Sequence, residues 1–349
     1  MRHATTFREA GAVTAVPMPR QRDVITMPEM PETPAGQVAP RACRVPASLI
    51  LRAVAFAGGA SAIGLAVVPT EVMLRSGALP SQIVIARLAW GALTLFVICV
   101  LLRPHMLRKP LHEHGRLCLV GLLLGWATAE LYTRALDKAD VLPVIVLLVA
   151  ASAVTGMVLQ LGRRFRAGHV FVLLAVLVSV AATVHTASPG FGLSTAACAF
   201  ALGAGVIYGA LPVLCRNAGQ APDVAAVMYY IGYGAVWAVV ILWLADPPAL
   251  AASVDVVVST PGVIAGALCT GLGYALFQVG ISPDMAGRRI GACWAGLLFG
   301  FEPITAIAAS GLFLGQAVSV TSTVFAIAFV ALVGLAGPTM AAFTQGARD

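Results

Sequence analysis

The sequence predicts an all-α polytopic membrane protein, with ten transmembrane helices arranged as two inverted five-helix repeats. Three observations carry this reading: an extreme apolar composition, its division into blocks of about 20 residues, and the alternation of basic residues between blocks. Of 349 residues, 59% are hydrophobic and 11% charged, and mean hydropathy is +0.91. Globular chains carry roughly 25% charged residues, so this chain cannot coat a water-facing sphere with polar groups. A block of about 20 residues, rising 1.5 Å per residue, crosses a hydrocarbon core of about 30 Å. A β-barrel would instead show strands of about 10 residues with alternating polarity, and none is legible.

Residues 1–47 stand apart. They hold seven prolines, mixed charge and no apolar run long enough for a signal-peptide core. They read as a disordered cytoplasmic tail. Ten apolar runs follow, at 49–70, 81–102, 116–135, 141–160, 168–186, 192–214, 222–245, 261–282, 290–314 and 317–338. The third and fourth are split only by "TRALDKAD" and the ninth and tenth only by "LGQAVS", so both pairs are tight hairpins. The first repeat covers 48–188, the second 189–340, and residues 341–349 form a short C-terminal tail.

Loop charge orients the chain, because Lys and Arg collect on the cytoplasmic side. With the N-terminus inside, the inner segments hold Arg2, Arg8, Arg20, Arg22, Arg41, Arg44, Arg103, Arg108, Lys109, Arg116, Arg163, Arg164, Arg166, Arg216, Arg288, Arg289 and Arg348. The outer loops hold only Arg75, Arg134 and Lys138, while Arg52 and Arg87 fall within spans. Both termini are therefore expected in the cytoplasm of a multi-pass inner or plasma membrane protein. The formal charge of +7 orients the protein and calls for no nucleic acid. Ten spans divide into five plus five, and an odd number per half inserts the halves in opposite directions. Secondary transporters built this way bind substrate between the halves near the midplane. Small-xxx-small pairs such as Gly205/Gly209 and Gly296/Gly300 fit a closely packed bundle.

Polar groups inside the spans are the candidate site. An acid at a helix centre costs about 2.5 to 3.5 kcal/mol on insertion scales, so it faces a cavity, finds a partner or takes a proton. Glu302, at mid-depth in the ninth span, reads as a proton-coupling group or a partner for a substrate cation. The competing reading is a protonated acid bonded to a neighbouring helix as structural glue. Pro303 beside it is expected to break the helix, leaving the Phe299 carbonyl without its donor. Glu130 has Arg134 four residues on, which favours a local ion pair over a substrate role. Arg87, early in the second span, either snorkels to the surface or meets an anionic group. Trp126, Tyr132, Tyr208, Tyr229, Tyr230, Tyr274, Gln278 and Trp294 are weaker candidates for lining a pathway.

Other chemistries find little purchase. The seven cysteines are scattered without metal spacing, and "HEH" at His112–His114 sits in a short basic loop with its histidines on different helix sides. No GxxxxGK[ST], HExxH or GxSxG is present. No enzyme, cofactor or metal is expected.

The ninth–tenth hairpin, "FEPITAIAASGLFLGQAVSVTSTVFAIAFVALVGLAG", resembles that of EamA-type members of the drug/metabolite transporter superfamily, nearest to threonine/homoserine-type amino-acid exporters. Phe301, Glu302, Pro303, Leu312, Leu314 and Gly315 match the family pattern, as do "ARLAWGALTL" around Arg87 and "ELYTRALDKAD". Gln316 stands where the family usually carries Glu, and Ser152 falls near the first-half position equivalent to Pro303. The resemblance covers residues 50–338 and implies secondary transport of small metabolites such as amino acids, with a proton or counter-solute as partner. The alternative is a non-transporting scaffold or receptor-like bundle that acts through its N-terminal tail. Deleting residues 1–47 separates the two: solute movement in intact cells should survive the deletion, whereas tail-borne signalling should not.

Overall fold

In an apolar solvent every backbone N–H and C=O has to be paired within the protein, and helices do this within one segment. The computed structural model describes residues 47–102, 104–161, 194–216, 224–282 and 300–316, with the single positions 298, 324, 327 and 328. Among the described residues the regular structure is all helix, with no strand. The expected fifth span, nearly all of the tenth, most of the first 47 residues, the C-terminal tail and Trp294 lie outside them.

The helices are α1 (Ala47–Leu65), α2 (Val67–Arg75), α3 (Pro80–Leu102), α4 (Leu111–Val120), α5 (Thr128–Leu136), α6 (Val141–Leu161), α7 (Thr195–Arg216) and α8 (Val224–Ala245). They continue with α9 (Pro247–Val258), α10 (Thr260–Val263), α11 (Gly273–Ile281) and α12 (Phe301–Leu314). A π-helical stretch, Gly121–Ala127, joins α4 to α5, and a second, Ile264–Leu272, joins α10 to α11. Among the described residues four helical stretches are long and apolar enough to cross a membrane: Ala47–Arg75, Pro80–Leu102, Val224–Ala245 and Thr260–Ile281. Large apolar side chains point outward along them and along α12, where Leu312 is 80% exposed. A surface of this kind suits lipid.

Local chemistry sets the ends. Pro80 opens α3, where its missing N–H costs nothing, and the Gln82 side chain reaches back to accept from Leu79 N at 3.0 Å. Asp246 caps α9 by accepting from Ala249 N at 3.0 Å, with Pro247 next to it. That 12-residue helix occupies what the hydropathy pattern reads as a plain loop. Leu314 ends α12 at Gly315, whose φ of 65° is the left-handed conformation of a helix stop. Gln316 then accepts from Val141 N at 3.3 Å, tying this end to the start of α6. The residue that departs from the family pattern thus serves a helix N-terminus.

Pro303 sits in the first turn of α12, which begins at Phe301 after a turn at Gly300. Phe299 itself is outside the described residues.

Helices from early and late in the chain interleave. α1 packs on α11 and α12, α3 on α8 and the second π stretch, α8 on the first π stretch, and α7 on α5 and α6. One apolar cluster joins α3 and α8 through Val84, Leu88, Leu95, Ile231, Ala238 and Leu242. Another gathers Val67, Leu136, Val144, Ile145, Ala201 and Ala306. At the α6–α7 contact a Cβ on Gly209 would overlap the Ser152 backbone, whereas one on Gly58 would meet nothing. Gly209→Leu should therefore cost about 1–3 kcal/mol through overpacking. Gly58→Ala should be neutral or stabilising by up to about 1 kcal/mol. Thermal melting of the two purified variants in detergent measures the contrast.

Candidate functional site

Where the interleaved helices diverge, they enclose a cavity of about 100 Å³, room for several water molecules. Its walls come from α1, α3, α5, α6, α7, α8, α11 and α12 and from both π stretches. Most of the lining is apolar (Ile63, Leu88, Leu124, Ile145, Leu148, Val149, Ile231). Against it stand Arg87, Glu302, Thr128, Thr270 and four tyrosines: Tyr132, Tyr208, Tyr230 and Tyr274.

Each charged group is held by its local backbone. Arg87 sits among buried Val84, Ile85 and Leu88 on α3, which drives its stem inward rather than to the surface. Its Nε and Nη1 are buried and have no hydrogen-bond partner. Glu302 lies in the first turn of α12, where the positive end of the helix favours a carboxylate. Gly64 on α1 brings the chains together here, because a Cβ would overlap the Glu302 carbonyl oxygen. The Tyr208 hydroxyl donates to Glu302 Oε2 at 3.5 Å, a long bond that leaves the carboxylate only loosely held. Tyr230 and Tyr274 meet edge to face, ring centroids 6.5 Å apart. Among the described residues no ion pair joins Arg87 to Glu302. The cavity thus offers a cationic and an anionic group, both open to a third party.

The structure brings together Glu302, Arg87, Tyr208, Tyr274 and Pro303 from the residues expected at a site, along with Tyr132 and Tyr230. It places others elsewhere. Glu130 is 5% exposed, and its Oε1 accepts from Ser81 Oγ at 2.7 Å and from Arg134 Nε and Nη2 at 2.8 Å each. This clasp ties α5 to α3 away from the cavity lining. Trp126 packs against the α3–α8 cluster, and Gln278 is buried outside the lining with Oε1 unpartnered. Tyr229 donates to the Leu107 carbonyl and meets His114 edge-on at 5.0 Å. The sequence reading missed Thr128 and Thr270 on the cavity wall and Glu71, a buried acid whose Oε2 lies 3.7 Å from Arg75 Nε. Glu71 had a signal, the same acid-to-arginine spacing of four as Glu130, but fell one residue past the expected span end.

No family profile and no curated protein matches the chain. A solved structure, described only as the crystal structure of a protein, superposes with a TM-score of 0.54 at 19% identity. The match covers 83% of this chain and 98% of that one. At that identity the likeness establishes a shared fold alone.

Buried guanidinium nitrogens without partners are costly, commonly by several kcal/mol after relaxation. Arg87→Met keeps the stem's volume and removes the charge, so it should raise the melting temperature of the purified protein. A lower melting temperature would mean that the guanidinium is paired in the folded state.

Proposed function

We propose that the chain is a secondary active transporter that moves small metabolites such as amino acids by alternating access, most simply as an exporter. In this reading it has ten spans in two inverted five-helix repeats, with both termini in the cytoplasm and the spans in the inner or plasma membrane. Support for the repeat comes from helix neighbours. Let α1–α2, α3, α4–α5 and α6 be spans one to four, and α7, α8, α10–α11 and α12 spans six to nine. Span one touches eight and nine, as six touches three and four; span two touches eight as seven touches three; two and seven touch each other. Exchanging every span with the one five places along leaves this list unchanged. The two π stretches fall in spans three and eight, which are also exchanged partners.

The observation that carries the substrate class is Arg87, with its Nε and Nη1 unsatisfied, sharing a cavity with Glu302. A zwitterion supplies what both lack: its carboxylate meets the guanidinium, and its ammonium meets Glu302 and the Tyr208 oxygen. Apolar walls and tyrosine rings accept a side chain. When the solute leaves, Glu302 takes a proton or a second solute, which provides the coupling. Resemblance to EamA-type exporters through Phe301, Glu302 and Pro303 adds to this reading.

Cells with and without the protein should differ in accumulation of amino acids and in resistance to toxic amino-acid analogues. Glu302→Gln, expressed at normal level, should lose that difference. Full transport by this variant would remove Glu302 from the mechanism.

A further inference from the structure

Two π stretches border the cavity, and each is bridged by a threonine hydroxyl. Thr128 Oγ1 donates to the Leu123 carbonyl at 3.1 Å, and Thr270 Oγ1 donates to the Ala265 carbonyl at 2.8 Å. Both bonds run five residues back. Threonines in the α-helical parts bond four back, as Thr70 does to Ala66 at 2.7 Å and Thr133 to Ala129 at 2.8 Å. The five-residue span therefore belongs to the widened turn. At the first stretch the Leu123 carbonyl also accepts the Thr128 backbone N–H, so backbone and side chain hold the same oxygen. Both threonines line the cavity.

Glycines in the two stretches also bring them close to other helices. A Cβ on Gly121 or Gly125 would strike the Tyr230 carbonyl or Gly234 of α8. One on Gly266 would strike the Trp90 Cβ and the Ala86 and Arg87 carbonyls of α3, and one on Gly271 would strike the Thr94 side chain. At these glycines the π stretches have no side chain of their own to interlock with the neighbouring helix, and π turns frequently mark functional positions.

We infer that Thr128 and Thr270 are positioning residues for a matched pair of hinges: each hydroxyl latches a π turn at the cavity wall, and its release lets that helix change curvature as the cavity changes the side to which it opens. An α-turn has no place for a five-back bond, so the latched and unlatched turns differ in backbone register. One net hydrogen bond shifts such an equilibrium by about fivefold, which suits an element that has to switch. The inference rests on the transporter reading for its purpose, but the hinge itself can be measured without a solute.

The test uses the full-length protein in liposomes with Thr128→Val and Thr270→Val, which keep shape and lose the hydroxyl, and Thr→Ser at each site, which keeps it. Thr133→Val removes a four-back bond outside the cavity lining and is the control. The first readout is amide hydrogen exchange over 121–127 and 264–272. The second is labelling of a Leu124→Cys reporter in the cavity wall by a membrane-impermeant maleimide, from each side, above the native-cysteine background. Each Val variant should change exchange in its own π stretch and shift the two-sided labelling ratio by about fivefold. The Ser variants and Thr133→Val should match wild type. Val variants that match wild type in both readouts, or Ser variants that behave like Val, overturn the hinge. A reporter that is labelled from neither side in wild type would instead count against alternating access, and exchange would still decide the hinge.

Discussion

Backbone-to-backbone contact at glycine is the constraint on which the rest of this structure depends. Lipid gives helices no hydrophobic reason to associate, so close approach and dispersion have to hold them. Gly209 and Gly205 let α7 lie against the Ser152 and Leu148 carbonyls of α6, and Gly64 lets α1 lie against the first turn of α12. These contacts fix the axes at particular points. The cavity opens beside Gly64 and Gly125, and Gly64 makes one of the closest approaches. The hollow is thus a consequence of where the chain has no side chain to offer.

The charges divide by whether their own helix can answer them. Glu130 and Glu71 each have an arginine four residues on, and both end in local pairs. Arg87 has Ile83, Val84, Trp90 and Gly91 at the three- and four-residue spacings, and Glu302 has no base at any of its own. Neither can be satisfied within its helix, and both face the cavity. Spacing along one helix therefore separates the structural charges from the candidate site more sharply than depth does. It accounts for why the Glu130 pair was legible as an ion pair in the sequence, and why Arg87 was not resolvable between anchor and anion site until its neighbours were known.

The same limit governs what was legible of the fold. The hairpin between α5 and α6 and the stop at Gly315 lie where the sequence puts them, because Asp, Lys and Gly mark them locally. Helix α9 was hidden because hydropathy measures transfer from water, whereas Asp246 and Pro247 announce a helix start by hydrogen bonding and φ. Thr128 and Thr270 had no signature at all. Nothing in "GWATAE" or "LCTGLG" distinguishes a π turn from an α turn, and the close neighbours of these stretches, Gly234 at Gly125 and Thr94 at Gly271, are more than 100 residues away in sequence.

A π turn and a glycine contact are each a local weakness, one in hydrogen-bond register and the other in side-chain packing. Scattered through a bundle they would lower its stability with no return. Here both occur in the two π stretches, at the wall of the cavity that Arg87 also lines. The neighbouring α3–α8 cluster is conventional, with Ile, Leu and Val filling the interface. The α3–α8 contact is thus filled by side chains, whereas the two π stretches meet these helices at glycines. A bundle divided in this way can keep its central pair fixed while the flanking helices bend, so that Arg87, carried on that pair, stays in place while the walls around it move.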